Sequence, residues 1–167
     1  ENGERVPDRL LMNALIQRLG KSSDQLTTMI SCQEYAYFEW KRKVKEALRK
    51  KNISLAQELL QKKEALDGAV NATLQEQFYR YIQGILKGTY ADISDLEEAI
   101  RLTHPEFSGK IEEEDLFSIQ ELNLLLFYAK CKMQRDTEQG RELLEALLLY
   151  IQEHITDIQA KNQIFPR

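Results

Sequence analysis

The stretch Thr73–Pro105, TLQEQFYRYIQGILKGTYADISDLEEAIRLTHP, reads as one helical hairpin and sets the pattern for the rest of the chain. Thr73 and Glu76 have the spacing of a capping box, in which the hydroxyl accepts a free helix N–H and the carboxylate reaches back to another. Leu74, Phe78, Tyr81, Ile82 and Ile85 recur at i, i+4, i+7, i+8 and i+11, which is one apolar helix face. Gly88 stands where a helix end takes up a left-handed residue. Ser94 and Glu97 form a second box ahead of a shorter helix carrying Leu96, Ala99, Ile100 and Leu102, and Pro105 follows its end. Two helices joined by a short turn cannot cover both apolar faces alone, so this hairpin requires neighbours of its own kind.

The neighbours carry the same signal. Ser31–Glu34, Ser54–Gln57 and Ser118–Glu121 have the box form, and Asp136 precedes Thr137 as a cap. Helix starts near 31, 54, 73, 94, 118 and 136 put alternate starts 40 to 45 residues apart. A helix pair recurring at that period marks an α-solenoid. Pro is absent between Pro7 and Pro105, and no alternating Val/Ile/Thr-rich segment competes with the helical pattern, so the class is all-α. No apolar run reaches the roughly 18 residues of a membrane span, and the polar first residues are not a signal peptide. Cys32 and Cys131 lack a CxxC spacing and suit a reducing cytoplasm. The net charge of −4 is split unevenly: residues 1–91 hold 15 Lys/Arg against 11 Asp/Glu, residues 92–167 hold 8 against 16.

At the N-terminus, Glu1-Asn2-Gly3-Glu4-Arg5-Val6-Pro7 precedes an apolar helix with Leu10, Leu11, Ala14, Leu15 and Leu19, which Gly20 stops. Ser22–Asp24 caps a further short helix with Leu26, Met29 and Ile30. The opening run resembles the turn that follows the recognition helix of Xre/Cro-type helix-turn-helix domains. The remainder resembles the tetratricopeptide-like (Rgg/PlcR-like) peptide-responsive sensor domains of Gram-positive regulators, through Ile82-Gln-Gly84, Ala99-Ile-Arg-Leu-Thr103 and Glu121-Leu-Asn123. This resemblance implies residues 1–30 as the end of a DNA-binding domain with its linker. It implies 31–167 as a tetratricopeptide-like sensor and dimerisation domain of about three hairpins. It further implies that the recognition helix lies upstream of Glu1, so that the chain is a fragment. DNA would then be reached only through those missing helices, with Asn2 and Arg5 limited to phosphate contact.

The helix from Glu34 to about Lys51 places Tyr37, Trp40, Val44, Ala47 and Leu48 inward and Lys41, Arg42, Lys43, Lys45, Arg49, Lys50 and Lys51 outward. That basic run is either a solvated face or a docking surface for phosphate or for an acidic tract such as Glu112–Asp115 of a neighbouring subunit. Helix 119–135 is apolar almost all round and is expected at the centre. It should be covered by 137–155 through Leu143, Leu144, Leu147, Leu148, Ile151 and Ile155. Leu149 and Tyr150 lie off that stripe. They form either a homodimer seam or the seat of a returning Ile158–Phe165 segment.

Catalytic chemistry is hardly represented. His104 and His154 read as ordinary surface histidines without a metal partner, and helical carboxylates such as Glu97, Glu98, Glu142 and Glu145 read as solubility. No phosphate loop, GxSxG or Cys–His–Asn signature is present. The expectation is a non-catalytic protein with no cofactor, no metal and no membrane partner. In a helix-pair array the first helix of each pair lines the concave face, which singles out Gln75, Tyr79, Arg80, Gln83, Asn123, Phe127 and Lys130 as ligand contacts. Asn123 is an amide in an apolar helix. It either pairs with a bound peptide backbone or satisfies its own surroundings. Tyr79 and Tyr128 also read as tyrosines at the edge of the core. Together these features point to a cytoplasmic, homodimeric transcription regulator whose sensor domain takes a small peptide. The rivals are a helical-repeat scaffold unrelated to transcription and, by analogy, a repeat-domain phosphatase.

Overall fold

The computed structural model describes residues 9–20, 32–62, 71–88 and 91–164, with residues 32–34 described in their backbone only. Eight α-helices occupy them: α1 Arg9–Arg18, α2 Cys32–Arg49, α3 Ile53–Gln61, α4 Ala72–Lys87, α5 Ile93–Arg101, α6 Ile119–Arg135, α7 Thr137–His154 and α8 Ile158–Ile164. The described residues contain no strand. The fold is all-α. Helices α2/α3, α4/α5 and α6/α7 form three hairpins, and each hairpin packs on the next through α3 on α4 and α5 on α6. The turn at Asn2 and Arg5, the Ser22–Asp24 cap, the Ser31 box and the 30/31 boundary all lie outside the described residues.

Three of the expected caps sit elsewhere. Asn52 caps α3, Asn71 caps α4 and Asp92 caps α5, through side-chain oxygens that accept from Leu55, Leu74 and Ser94 N–H. Each lies two residues before the Ser or Thr of the box motif. Asn and Asp satisfy a free N–H as well as a hydroxyl does, so the earlier residue takes the role and Ser54, Thr73 and Ser94 fall inside the first turn. The Ser118–Glu121 box forms in both directions, and Asp136 caps α7. Gly20 and Gly88 end α1 and α4 with φ of +71° and +62°, where only glycine avoids a Cβ penalty.

The apolar faces meet in two clusters. Leu10 and Ala14 of α1 join Tyr37, Trp40, Val44, Leu60, Leu74, Phe78 and Ile82. The larger cluster gathers α5, α6, α7 and α8 with Phe107 and Phe117 of the loop between α5 and α6. Tyr81 packs against both. Helix α6 is central as its composition demands, touching α1, α4, α5, α7 and α8. Tyr150 belongs to the core, not to an outer seam: it is buried, and its hydroxyl accepts from Phe117 N–H at 3.0 Å. Leu148, expected inward, is exposed together with Leu149, because α7 turns Leu143, Leu147, Tyr150 and Ile151 to the core. The C-terminal segment does return, and as α8 it lies on α6 with Ala160 and Ile164 buried.

Glu121 fastens these parts together. Its Oε1 accepts from Arg18 Nη2 of α1 at 2.7 Å, and its Oε2 accepts from Ser118 N–H at 2.6 Å. His104 Nε2 lies 3.3 Å from Oε1, close in distance but poorly aligned for a hydrogen bond, so the contact is electrostatic. His104 is therefore no surface histidine. Its ring is mostly buried and tilts on Phe117 at 4.6 Å. Burial by itself would raise the Glu121 pKa, but His104, Arg18 and Thr103 outweigh it and hold the carboxyl at about 2. Beside this cluster, Gln17 Oε1 accepts from Ile119 N–H at 3.1 Å, a second tie between α1 and α6.

Two outcomes follow for stability. A carboxyl held below its unfolded value stabilises the fold above that value and loses the contribution as pH falls through the folded one. Glu121→Gln is expected to cost about 3 kcal/mol at pH 7, since it leaves Arg18 without its buried partner. In urea titrations the gap from wild type should close between pH 4.5 and pH 2. Gly140→Ala would drive a methyl into the Met133 backbone where α7 crosses the end of α6. That variant should lose about 2 kcal/mol in the same assay.

Candidate functional site

One face of α4 and one of α6, flanked by α2, form a continuous strip. At its upper end Lys41 of α2 crosses α4. Its Nζ lies 4.6 Å above the Phe78 ring and 5.9 Å from the Tyr37 ring, and it donates to Gln120 Oε1 of α6 at 2.5 Å. Lys41 thus points inward, and the basic run of α2 is not one outward face. In the middle, Tyr81 of α4 meets Phe127 of α6 edge-to-face at 6.2 Å. At the lower end Ile85, Gly88, Phe127, Lys130, Cys131 and Gln134 line a largely apolar hollow of about 310 Å³. On α6, Gln120, Asn123, Phe127, Cys131 and Gln134 follow at helical spacing along this side. From Gln120 to Gln134 the strip is about 21 Å long at ~1.5 Å per residue.

Gly84 fixes how closely α4 sits to its neighbours. A Cβ there would lie 2.7 Å from Leu96 Cδ2 and 3.3 Å from Phe127 Cε1. Only a hydrogen fits between α5 below and the strip above.

The strip is hollowed at its lower end and partly buried above it. Lys45, one turn beyond Lys41, reaches water, yet the surrounding protein still lowers its ammonium pKa by desolvation. Burial holds the Lys41 ammonium well below the ordinary lysine range, with the Lys45 charge adding to the effect. Tyr81 keeps some exposure while burial pushes its phenol up to about 12.

The residues expected to contact ligand divide among four environments. Phe127 and Lys130 lie in the strip. Asn123 shares the strip's side of α6, but its Nδ2 donates to Ile119 O one turn back at 2.8 Å. Arg80 and Gln83 face a separate polar groove of about 330 Å³ between α4 and α5. There Arg80 is held by Glu76 and Glu98 at 2.9 and 2.8 Å. Gln75 is buried, and Tyr79 packs against the smaller apolar cluster. Tyr81 and Gln120 were missed by pattern, and Lys41 and Lys45 were read only as members of an outward basic run. The charged face of α2 hid the two lysines, and Tyr81 counted as core. Tyr128 is fully buried and donates to Glu97 at 2.6 Å, so Glu97 has a structural role besides solubility.

A buried amide relay leaves the strip. Gln120 Nε2 donates to Gln77 Oε1 at 2.9 Å and to Leu74 O at 3.1 Å. Gln77, fully buried on α4, donates onward to Thr103 Oγ1 at 2.8 Å and to Ala99 O at 3.2 Å. Lys41 is thereby joined through Gln120 and Gln77 to Thr103, which precedes His104, whose ring lies 3.3 Å from Glu121 Oε1.

Among the described residues no group of three or more His, Cys, Asp or Glu converges as a metal site would require, and no helix is long and apolar enough to cross a membrane. No family model, curated protein or solved structure matches this chain. Two substitutions separate structural amides from available ones. Gln77→Leu leaves buried partners unpaired and should cost about 1–3 kcal/mol in urea unfolding. Asn123→Ala removes only a bond to its own helix and should stay within about 0.5 kcal/mol of wild type.

Proposed function

We propose that this chain is the peptide-sensing and dimerisation part of a cytoplasmic bacterial transcription regulator, without catalysis of its own. The observation that carries the reading is the strip over α4. It is elongated, lined by Tyr81, Ile85 and Phe127 and edged by amides and lysines, with no carboxylate among its described lining residues. An extended peptide of about six residues, at ~3.3 Å each, matches its length. Aromatic rings accept varied side chains, while Gln134 and the Oδ1 of Asn123, whose Nδ2 bonds only its own helix, can pair with a peptide backbone. The resemblance of residues 1–7 to the turn after a recognition helix gives the transcriptional half of the proposal.

The relay offers a physical route for the signal. A ligand that draws Lys41 away from Gln120 disturbs Gln77 and Thr103, and these adjoin the Glu121–Arg18 pair that holds α1. Helix α1 follows the opening turn in the chain, so its seating on α6 would set the placement of DNA-binding heads in a dimer. The exposed Leu148 and Leu149 of α7 are the seam proposed for that dimer.

The test uses the whole chain and a pool of randomised hexapeptides, with binding followed by calorimetry and mass by light scattering. Saturable uptake by a dimer is expected. Asn123→Ala and Phe127→Ala should each weaken uptake at least tenfold, and Asn123→Ala should do so without loss of thermal stability. A chain that takes up none of the pool sinks the sensor reading and leaves a helical scaffold in its place.

A further inference from the structure

The two kinds of lysine and arginine on α2 are neutralised very differently. On the outer face Arg42 pairs with Glu39 at 3.0 Å and with Glu46 at 3.4 Å, and Lys50 pairs with Glu46 at 2.7 Å. Lys41, turned inward, and Lys45, one turn on and open to water, have no carboxylate within salt-bridge distance among the described residues. Lys41 has instead one amide oxygen and the faces of two rings. The nearest buried carboxylate, Glu121, is committed to Arg18, Ser118 and His104. Two ammonium groups one helical turn apart repel each other, and partial desolvation strengthens that repulsion. A protein that needed only a solvated face would have turned Lys41 outward, where Glu39 and Glu46 already stand.

We infer that Lys41 and Lys45 form an anion subsite at the upper end of the strip, and that the peptide it takes presents a carboxylate there. This rests on the peptide-sensing reading and adds the chemistry of recognition to it. A carboxylate between the two ammonium groups relieves their repulsion and favours the charged form of each. It also replaces Gln120 as the acceptor of the Lys41 hydrogen bond, and charge-assisted bonds of that kind are about twice as strong as neutral ones. The Phe78 ring under the ammonium contributes the same attraction with or without ligand. Capture of the anion and release of Gln120 into its relay are therefore one event. The carboxylate comes either from the free C-terminus of the peptide or from an acidic side chain. Lys130, beside the apolar hollow at the other end, gives the strip no competing pair of cations.

Four pools of N-acetylated random hexapeptides decide the matter: with or without Asp and Glu, each as free acid or as C-terminal amide. Trp40, the one tryptophan, packs on Phe78 at 5.7 Å and reports binding by fluorescence, with calorimetry as the parallel readout. The pool lacking every carboxylate should bind at least tenfold more weakly than the best of the other three. If the amidated pool containing Asp and Glu retains affinity, the source is a side chain; if only the free acids do, it is the C-terminus. Lys41→Met should abolish the discrimination and Lys41→Arg should keep it. Should Lys41→Met fail to fold, the exposed Lys45→Gln decides alone, with an expected three- to tenfold loss of discrimination. Equal binding of all four pools, or discrimination unchanged in a folded Lys41→Met or in Lys45→Gln, overturns the subsite while peptide sensing stands. Binding of no pool removes both.

Discussion

A carboxylate almost without water has to be matched by donors on every side, and Glu121 is matched by groups from three separate parts of the chain. Arg18 arrives from the first helix, the His104 ring from the end of the second hairpin, and the Ser118 amide from its own cap. Burying such a group unpaired would cost several kcal/mol, so the three parts cannot separate without exposing or stranding a charge. Helix capping is ordinarily a local matter of about 1 kcal/mol. Here the capping residue is also the meeting point of α1, the loop between α5 and α6, and α6. The two apolar clusters give the molecule its cohesion, and Glu121 fixes how their helices are registered.

That registration is what creates the strip. Gln120 and Glu121 are consecutive on the first turn of α6 and point about 100° apart, one toward Lys41 and α4, the other toward α1. Anything that rotates or lifts this turn changes both contacts together. Contiguity alone does not prove energetic coupling, but the shared turn supplies a rigid element whose position both ends read. The buried Gln77, with every polar atom engaged, keeps the intervening path from relaxing independently.

Much of the fold was legible in the pattern of apolar residues. The period-3.6 faces of α2, α4, α6 and α7 and the stops at Gly20 and Gly88 are consequences of local chemistry. Cap positions slipped by two residues because Asn and Asp outcompeted the hydroxyls that the box motif favours. Tyr150 and Leu148 exchanged roles because a helix buried along one side tolerates a shift of its stripe by a fraction of a turn. The site was far less legible. Lys41 is one of five basic residues on α2, and nothing in the sequence says that it alone reaches across α4 to a glutamine 79 positions away. His104 could not be distinguished from a surface histidine until Glu121 and Phe117 were placed beside it. Long-range polar contacts have no periodicity to betray them.

The missing side chain at Gly84 acts as a spacer gauge. Because α4 approaches both Leu96 and Phe127 within the width of a hydrogen atom, the distance between the floor of the strip and its α6 wall is set by an absence. Phe127 cannot sink further without displacing Leu96, and it cannot rise without losing Tyr81. The spacing across the strip at its midpoint, where Tyr81 meets Phe127, is therefore governed from behind, by a buried position that takes no part in its surface.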